Sequence, residues 1–264
     1  MNRRATQNGL GPAAPSTHSA AASEPAVVTC KGLGRTFGSG DAAVVAVHGV
    51  TCQIPEDARI VVSGPSGSGK STFLQLLAGL DQPTRGTITY PGLDLTRRLP
   101  GGIWQPDQVG VVFQNESLVP ALTGLENVAL PLLIAGIPLP EAERSAGEAL
   151  RHLELESVGS HLPDELSGGQ AQRVAAARVL ASRPRLILAD EPTGRLDHVL
   201  AGAVIDALLQ TADDIGAALV VATHDPRVIE RFDVRWRMTD GALEPKQPRT
   251  TRTEGTATNR AVSS

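Results

Sequence analysis

Ile60-Val61-Val62-Ser63-Gly64-Pro65-Ser66-Gly67-Ser68-Gly69-Lys70-Ser71-Thr72-Phe73-Leu74 is the stretch that decides how this chain folds. A β-branched apolar run ends at Ser63, a glycine-rich turn follows, and helical apolar spacing begins at Lys70. Residues 64–71 match the pattern G-x-x-x-x-G-K-[S/T] in the strand, turn and helix context that the pattern requires. Glycines let such a loop curl with its amide groups facing inward, and the positive end of the next helix points the same way, so phosphate oxygens meet many donors. Lys70 has the reach for the β- and γ-phosphates of a nucleotide, and the Ser71 hydroxyl suits a Mg²⁺ ion. Four fixed positions of this kind arise by chance on the order of once per hundred chains, so the match is not fortuitous. The chain has only three lysines, Lys31, Lys70 and Lys246, and one of them fills this slot.

Outward from the loop, further short apolar runs at 44–47, 59–63, 109–113, 185–189 and 217–223 read as strands covered on both faces. Helical patterns at 70–80, 141–155, 169–182 and 199–213 alternate with them, which implies an α/β fold with a mainly parallel sheet and flanking helices. The helical stretch at about 115–182 separates two strand blocks and is long enough to be an inserted subdomain. Residues 1–25 and 244–264 lack hydrophobic periodicity and are expected to be disordered tails around one domain at 26–243. The basic C-terminal tail, with Lys246, Arg249, Arg252 and Arg260, could favour an anionic membrane surface, although a solvated tail is the plainer reading.

A net charge of −4 argues against a surface built for nucleic acid. With aromatics at 3%, the core must be filled by Val, Leu, Ile and Ala. Cys30 and Cys52 have no metal-ligand spacing and read as small core residues in a reduced, cytoplasmic interior. No run approaches the roughly 20 apolar residues that a membrane-spanning helix needs.

Two more segments carry chemistry. Leu186-Ile187-Leu188-Ala189-Asp190-Glu191 reads as a buried strand delivering two carboxylates at its C-terminal end, where α/β sheets bind ligands. Asp190 is placed for the Mg²⁺ shell, and Glu191 can orient or deprotonate an attacking water. Leu166-Ser167-Gly168-Gly169-Gln170 precedes an Ala- and Val-rich helix, and Ser167 with Gln170 has capping-box spacing. A capped helix start with two glycines is a second anion-binding device.

A phosphate loop, LSGGQ and LILADEP in this order resemble the nucleotide-binding domain of the ABC ATPases over roughly 27–243. The resemblance implies a P-loop NTPase fold with an N-terminal antiparallel β subdomain and an inserted helical subdomain. It further implies that two domains pack head to tail, each ATP lying between the loop at 64–72 of one copy and residues 167–170 of the other. Glu191 and Lys70 are then catalytic, with Gln114 as a Mg²⁺ contact and reporter to a membrane partner and His224 as a γ-phosphate contact. Asp197 would lie in the loop crossing the dimer interface, and Phe37 would stack on adenine. Residues 122–136 and 190–194 are most similar to the lipoprotein-release and macrolide-export group. Arg195 stands where that group usually has Asn, and residues 101–107 replace what is commonly a basic helical stretch. The implied role is an ATPase subunit, peripheral on the inner face of the cell membrane through separate permease subunits. Alternatives are the ATPase of an importer or a soluble ABC ATPase outside transport; the second usually carries tandem domains or long insertions that this chain lacks.

Overall fold

The computed structural model describes residues 25–98, 102, 104–114, 117–194 and 196–246. Among these residues the strands form two sheets. The smaller is antiparallel, with β1 (Ala26–Phe37) between β2 (Val44–Pro55) and β4 (Arg85–Thr89). The larger has the order β5 (Val109–Val112), β6 (Leu186–Asp190), β7 (Ala218–Thr223), β3 (Arg59–Ser63), β8 (Val234–Thr239), β9 (Ala242–Lys246), parallel throughout except for β9.

Alternation along the central strands builds two cores. Val61, Ile187, Ala189, Leu219 and Val221 point to one face and pack with α3 (Leu139–His152), α4 (Gly168–Ala181) and α5 (His198–Ile215). Ile60, Val62, Leu186, Leu188, Val220 and Ala222 point to the other, against α1 (Lys70–Leu77) and the inner face of the antiparallel sheet. Each fully buried Val, Leu or Ile contributes roughly 1.5–3 kcal/mol, so both layers are needed to cover the sheet.

The run at 44–47 begins β2, which continues to Pro55, and the run at 185–189 starts one residue before β6, which includes Asp190. In β2 the continuation alternates, with Val50, Cys52 and Ile54 buried and Thr51 and Gln53 exposed. Cys30 lies directly opposite Cys52 on β1, and both are buried free thiols. A hydrogen bond with Cys30, together with burial, pushes the Cys52 thiol up, away from the reactive thiolate. The boundary drawn at residue 243 falls inside β9, because Lys246 still pairs with Arg235 of β8. At the other end the Pro25 carbonyl accepts from Glu56 N–H at 3.0 Å. The remainder of both tails, and Arg195, lie outside the described residues.

Between β5 and its neighbour β6 the chain runs through α2 (Gly124–Ile134), α3 and α4. Thr123 and Glu126 form a capping box at the start of α2, and the Thr123 N–H and hydroxyl hold the Glu126 carboxyl below its ordinary value. Asn127, fully buried, accepts from Val119 N–H at 2.7 Å and donates to the carbonyls of Val119, Leu122 and Thr123 at 3.1, 2.8 and 3.0 Å. One side chain thus shapes the entry to the helical unit. Asn127→Ala removes the partner of Val119 N–H and of Leu122 O, while the carbonyls of Val119 and Thr123 keep the N–H groups of Leu122 and Asn127, and urea unfolding should show a loss of about 1–2 kcal/mol; an unchanged midpoint and slope would contradict this role.

Candidate functional site

Register places the site. Ser63 pairs with Thr223, and Asp190 pairs with Ala222, so β3, β7 and β6 end side by side. Gly64, His224 and Glu191 are therefore the first residues to leave three adjacent parallel strands at their C-terminal edge, where open α/β sheets bind ligands.

The loop at 64–69 is pressed from both sheets. A Cβ on Gly64 would sit 2.1 Å from the Met238 carbonyl oxygen, and one on Gly69 would sit 2.2 Å from that of Ala46. Only glycine fits either place, and Gly69 also takes a left-handed φ of 97°. The tip of the β8–β9 hairpin, Asp240-Gly241, braces the loop from outside: Gly241 N–H donates to Ser68 O at 3.0 Å, and His48 N–H donates to Gly241 O at 2.9 Å. Ser68 N–H turns back onto Pro65 O, while the amides opening α1 have no carbonyl one turn earlier to bond. Lys70, 7% exposed, donates to Gly64 O at 2.9 Å and Pro65 O at 3.0 Å, and its ammonium lies 3.9 Å from Glu191 Oε1.

Glu191 is the most heavily tied residue of the cluster. Its backbone is left-handed, with φ 45°, which for a non-glycine residue costs roughly 1–2 kcal/mol. Its carboxylate accepts from Thr223 Oγ1 at 2.9 Å and contacts His224 Nδ1 at 2.9 Å. Thr223 is fully buried, whereas the His224 ring is largely exposed.

Asp190 is the electrostatic opposite. Burial pushes its carboxyl above the ordinary carboxylate value, a hydrogen bond from Ser71 pulls it back down, and the Glu191 and Lys70 charges oppose each other. Its Oδ1 is buried without a hydrogen-bond partner. An under-compensated carboxylate beside a hydroxyl is a hard oxygen donor set, so the residues present fit a divalent cation such as Mg²⁺.

Among the described contacts, the remaining expected site residues are not bonded to this cluster. Gln114, two residues beyond β5, is exposed. Phe37 ends β1 with its ring 39% exposed, and the Arg35 guanidinium stacks on it at 4.5 Å. Asp197 caps α5, accepting from Val199 and Leu200 N–H at 3.0 Å each. Ser167 and Gln170 close the expected capping box on α4: Gln170 N–H donates to Ser167 Oγ at 3.2 Å, and Ser167 N–H donates to Gln170 Oε1 at 2.8 Å. Ser167 and Gly168 are exposed, as an anion site for a second molecule requires. Sequence reading passed over Thr223 and Gln172, because a hydroxyl at a strand end and a glutamine within a helix carry no motif; only the fold brings them to Glu191.

Residues 47–194 match the family model described as ABC transporter. The chain belongs to the ABC transporter family, as its ATP-binding and ATP-hydrolysing subunit. Among its ABC relatives, the lipoprotein-releasing system ATP-binding protein LolD of Legionella pneumophila (strain Paris) is 40% identical, the match covering 84% of this chain and 98% of that one. The protein of the same name from Pseudomonas fluorescens is 38% identical over the same shares of the two chains. A solved dimer of the ATP-binding cassette MJ0796, in a post-hydrolysis state bound to ADP and Pi, superposes with a TM-score of 0.77 at 36% identity, covering 84% of this chain and 98% of that one.

The raised Asp190 carboxyl makes a test of the site's electrostatics. A carboxyl raised in the folded state penalises folding at neutral pH, and the penalty fades as pH falls through its folded value. In metal-free, nucleotide-free protein, Asp190→Asn should raise Tm at pH 7, with the difference shrinking toward pH 4. A Tm difference independent of pH would contradict the assignment.

Proposed function

We propose that two copies of this ABC subunit close head to tail on two Mg-ATP and hydrolyse them to drive separate permease subunits in lipoprotein release. The observation that carries this reading is the division of the site. Lys70, Asp190, Glu191 and His224 meet at the ends of three register-matched strands, while Ser167 to Gln170 form a capped helix start, exposed at Ser167 and Gly168 and bonded only within itself among its described contacts.

In this reading the amides at 64–71 and Lys70 hold the β- and γ-phosphates, with Thr72 in the first turn of α1 completing the cradle. Ser71 and Asp190 would hold Mg²⁺, with Gln114 on the β5 side; when bound, such an ion would supply positive charge to the phosphates. Glu191 takes the proton of the attacking water, its carboxylate aimed by Thr223 and His224. Phe37 offers adenine the ring face that Arg35 leaves open. Asp197, at the start of α5, lies in the loop crossing between copies, and Ser167 to Gln170 of the second copy close over the γ-phosphate.

Beside Gln114, a largely apolar cleft of about 220 Å³ is lined by Trp104, Val111, Phe113, Pro131 and Val179, with Arg178 at its side. It suits a cytoplasmic helix of the permease. No helix among the described residues is long and apolar enough to cross a membrane; attachment to the inner face would therefore run through that partner. The lipoprotein-releasing relatives support extrusion over import.

Glu191→Gln should cut turnover by about 10²–10⁴ while ATP binding survives, the range of a lost general base. Near-normal hydrolysis in that variant would remove Glu191 from the chemistry. Lys70→Ala should weaken Mg-ATP binding itself in equilibrium titration, and unchanged affinity would count against the loop.

A further inference from the structure

Gln172 lies near the start of α4, two residues beyond the capped segment at 167–170, and is 3% exposed. Its side-chain Nε2 donates to the backbone carbonyl of Glu191 at 3.2 Å, inside the protein and across 19 residues of sequence. The same carbonyl accepts from Gly194 N–H at 3.1 Å, and Glu191 N–H donates to Ala222 O at 2.9 Å. These bonds surround a residue whose φ of 45° its own side chain disfavours. A second contact joins the same two segments: a Cβ on Gly169 would lie 3.1 Å from Leu196 Cδ2, so the chain just after Glu191 rests on the start of α4.

Left-handed backbone at a glutamate persists only where its surroundings over-determine it. Gly194 and Ala222 supply bonds from the local turn and from β7. Gln172 supplies one from the helix that presents Ser167 and Gly168 to solvent. Rotation or translation of α4 therefore acts directly on the peptide that aims the Glu191 carboxylate.

We propose that Gln172 is a positioning residue for Glu191, tying its strained backbone to the helix whose N-terminus completes the ATP site of the second copy. This rests on the head-to-tail reading above. Ser167 of one copy touches ATP held by the other copy, while Gln172 of that same copy sets the carboxylate acting on its own ATP. Occupancy of one site is thereby conveyed to the geometry of the other along the start of one helix.

Mixed dimers of differently tagged copies test this. Q172M keeps the length and volume of the side chain but removes the donor. In the reference dimer one copy carries E191Q, so only the other copy hydrolyses. Placing Q172M in the hydrolysing copy should lower kcat about tenfold, the effect of a lost buried hydrogen bond, with KM for ATP unchanged. Placing Q172M in the E191Q copy, whose α4 covers the live site, should leave kcat at the reference level. Loss in the second arrangement, equal loss in both, or loss in neither overturns the proposal. A dimer carrying E191Q in both copies that hydrolyses ATP at a near-normal rate overturns the Glu191 reading and this inference together. A measurement on the unsubstituted chain needs no variant: the Gln172 side-chain amide protons, followed by ¹⁵N-resolved exchange, should exchange far more slowly than those of the exposed Gln53. Exchange at the rate of Gln53 overturns the bond even where Q172M fails to fold.

Discussion

The buried ammonium of Lys70 is the constraint around which the rest is arranged. An unpaired charge inside a protein is strongly unfavourable, so a lysine at 7% exposure requires oxygen atoms on several sides. Gly64 O and Pro65 O supply two of them, and the Glu191 carboxylate faces the same group. Those carbonyls converge only if the loop curls tightly. The curl in turn brings its backbone within van der Waals distance of Met238 in one sheet and Ala46 in the other. The phosphate loop is thus held by contact with both sheets at once, and neither sheet alone would fix its shape.

Much of the site was legible because its parts are local. The glycine spacing at 64–71, the carboxylates after 186–189 and the capping pair Ser167 and Gln170 each act within a few residues, and each stands where local chemistry puts it. The fold was legible where strands are buried on both faces and read as continuous apolar runs, as β3 and β7 do. β1 was not, because Gly32 and Gly34 interrupt its pattern and its pairing is irregular between Cys30 and Arg35. At Gly86 the approach of β4 is so close that a Cβ would lie 2.3 Å from Gly32 O, a demand visible only once the strands are paired. β8 hides behind Arg235 and Arg237, whose exposed side chains alternate with buried Trp236 and Met238. Thr223 and Gln172 act only across long stretches of sequence, so nothing near them announces their partners.

Phe37 shows how one ring can serve two purposes. Arg35 stacks on it and is itself fixed by Asp81 at 2.7 Å, so the end of β1 is tied to the turn after α1. A cation on one face of an aromatic ring withdraws electron density from the other. That face is then better matched to an electron-rich base than a bare phenyl group would be.

The segment after β4 has a different arrangement of aromatics, with its own consequence. Trp104 is 4% exposed, lies edge-on to Tyr90 with ring centroids 5.0 Å apart, and carries the Arg98 guanidinium 3.9 Å above its face. The chain contains only one other tryptophan, Trp236, buried in β8. An indole's emission energy follows the charge and polarity at its ring, and Trp104 borders the cleft beside Phe113 and Pro131. The protein therefore carries a built-in optical probe, with a cation already in place to tune its colour, in the wall of that cleft.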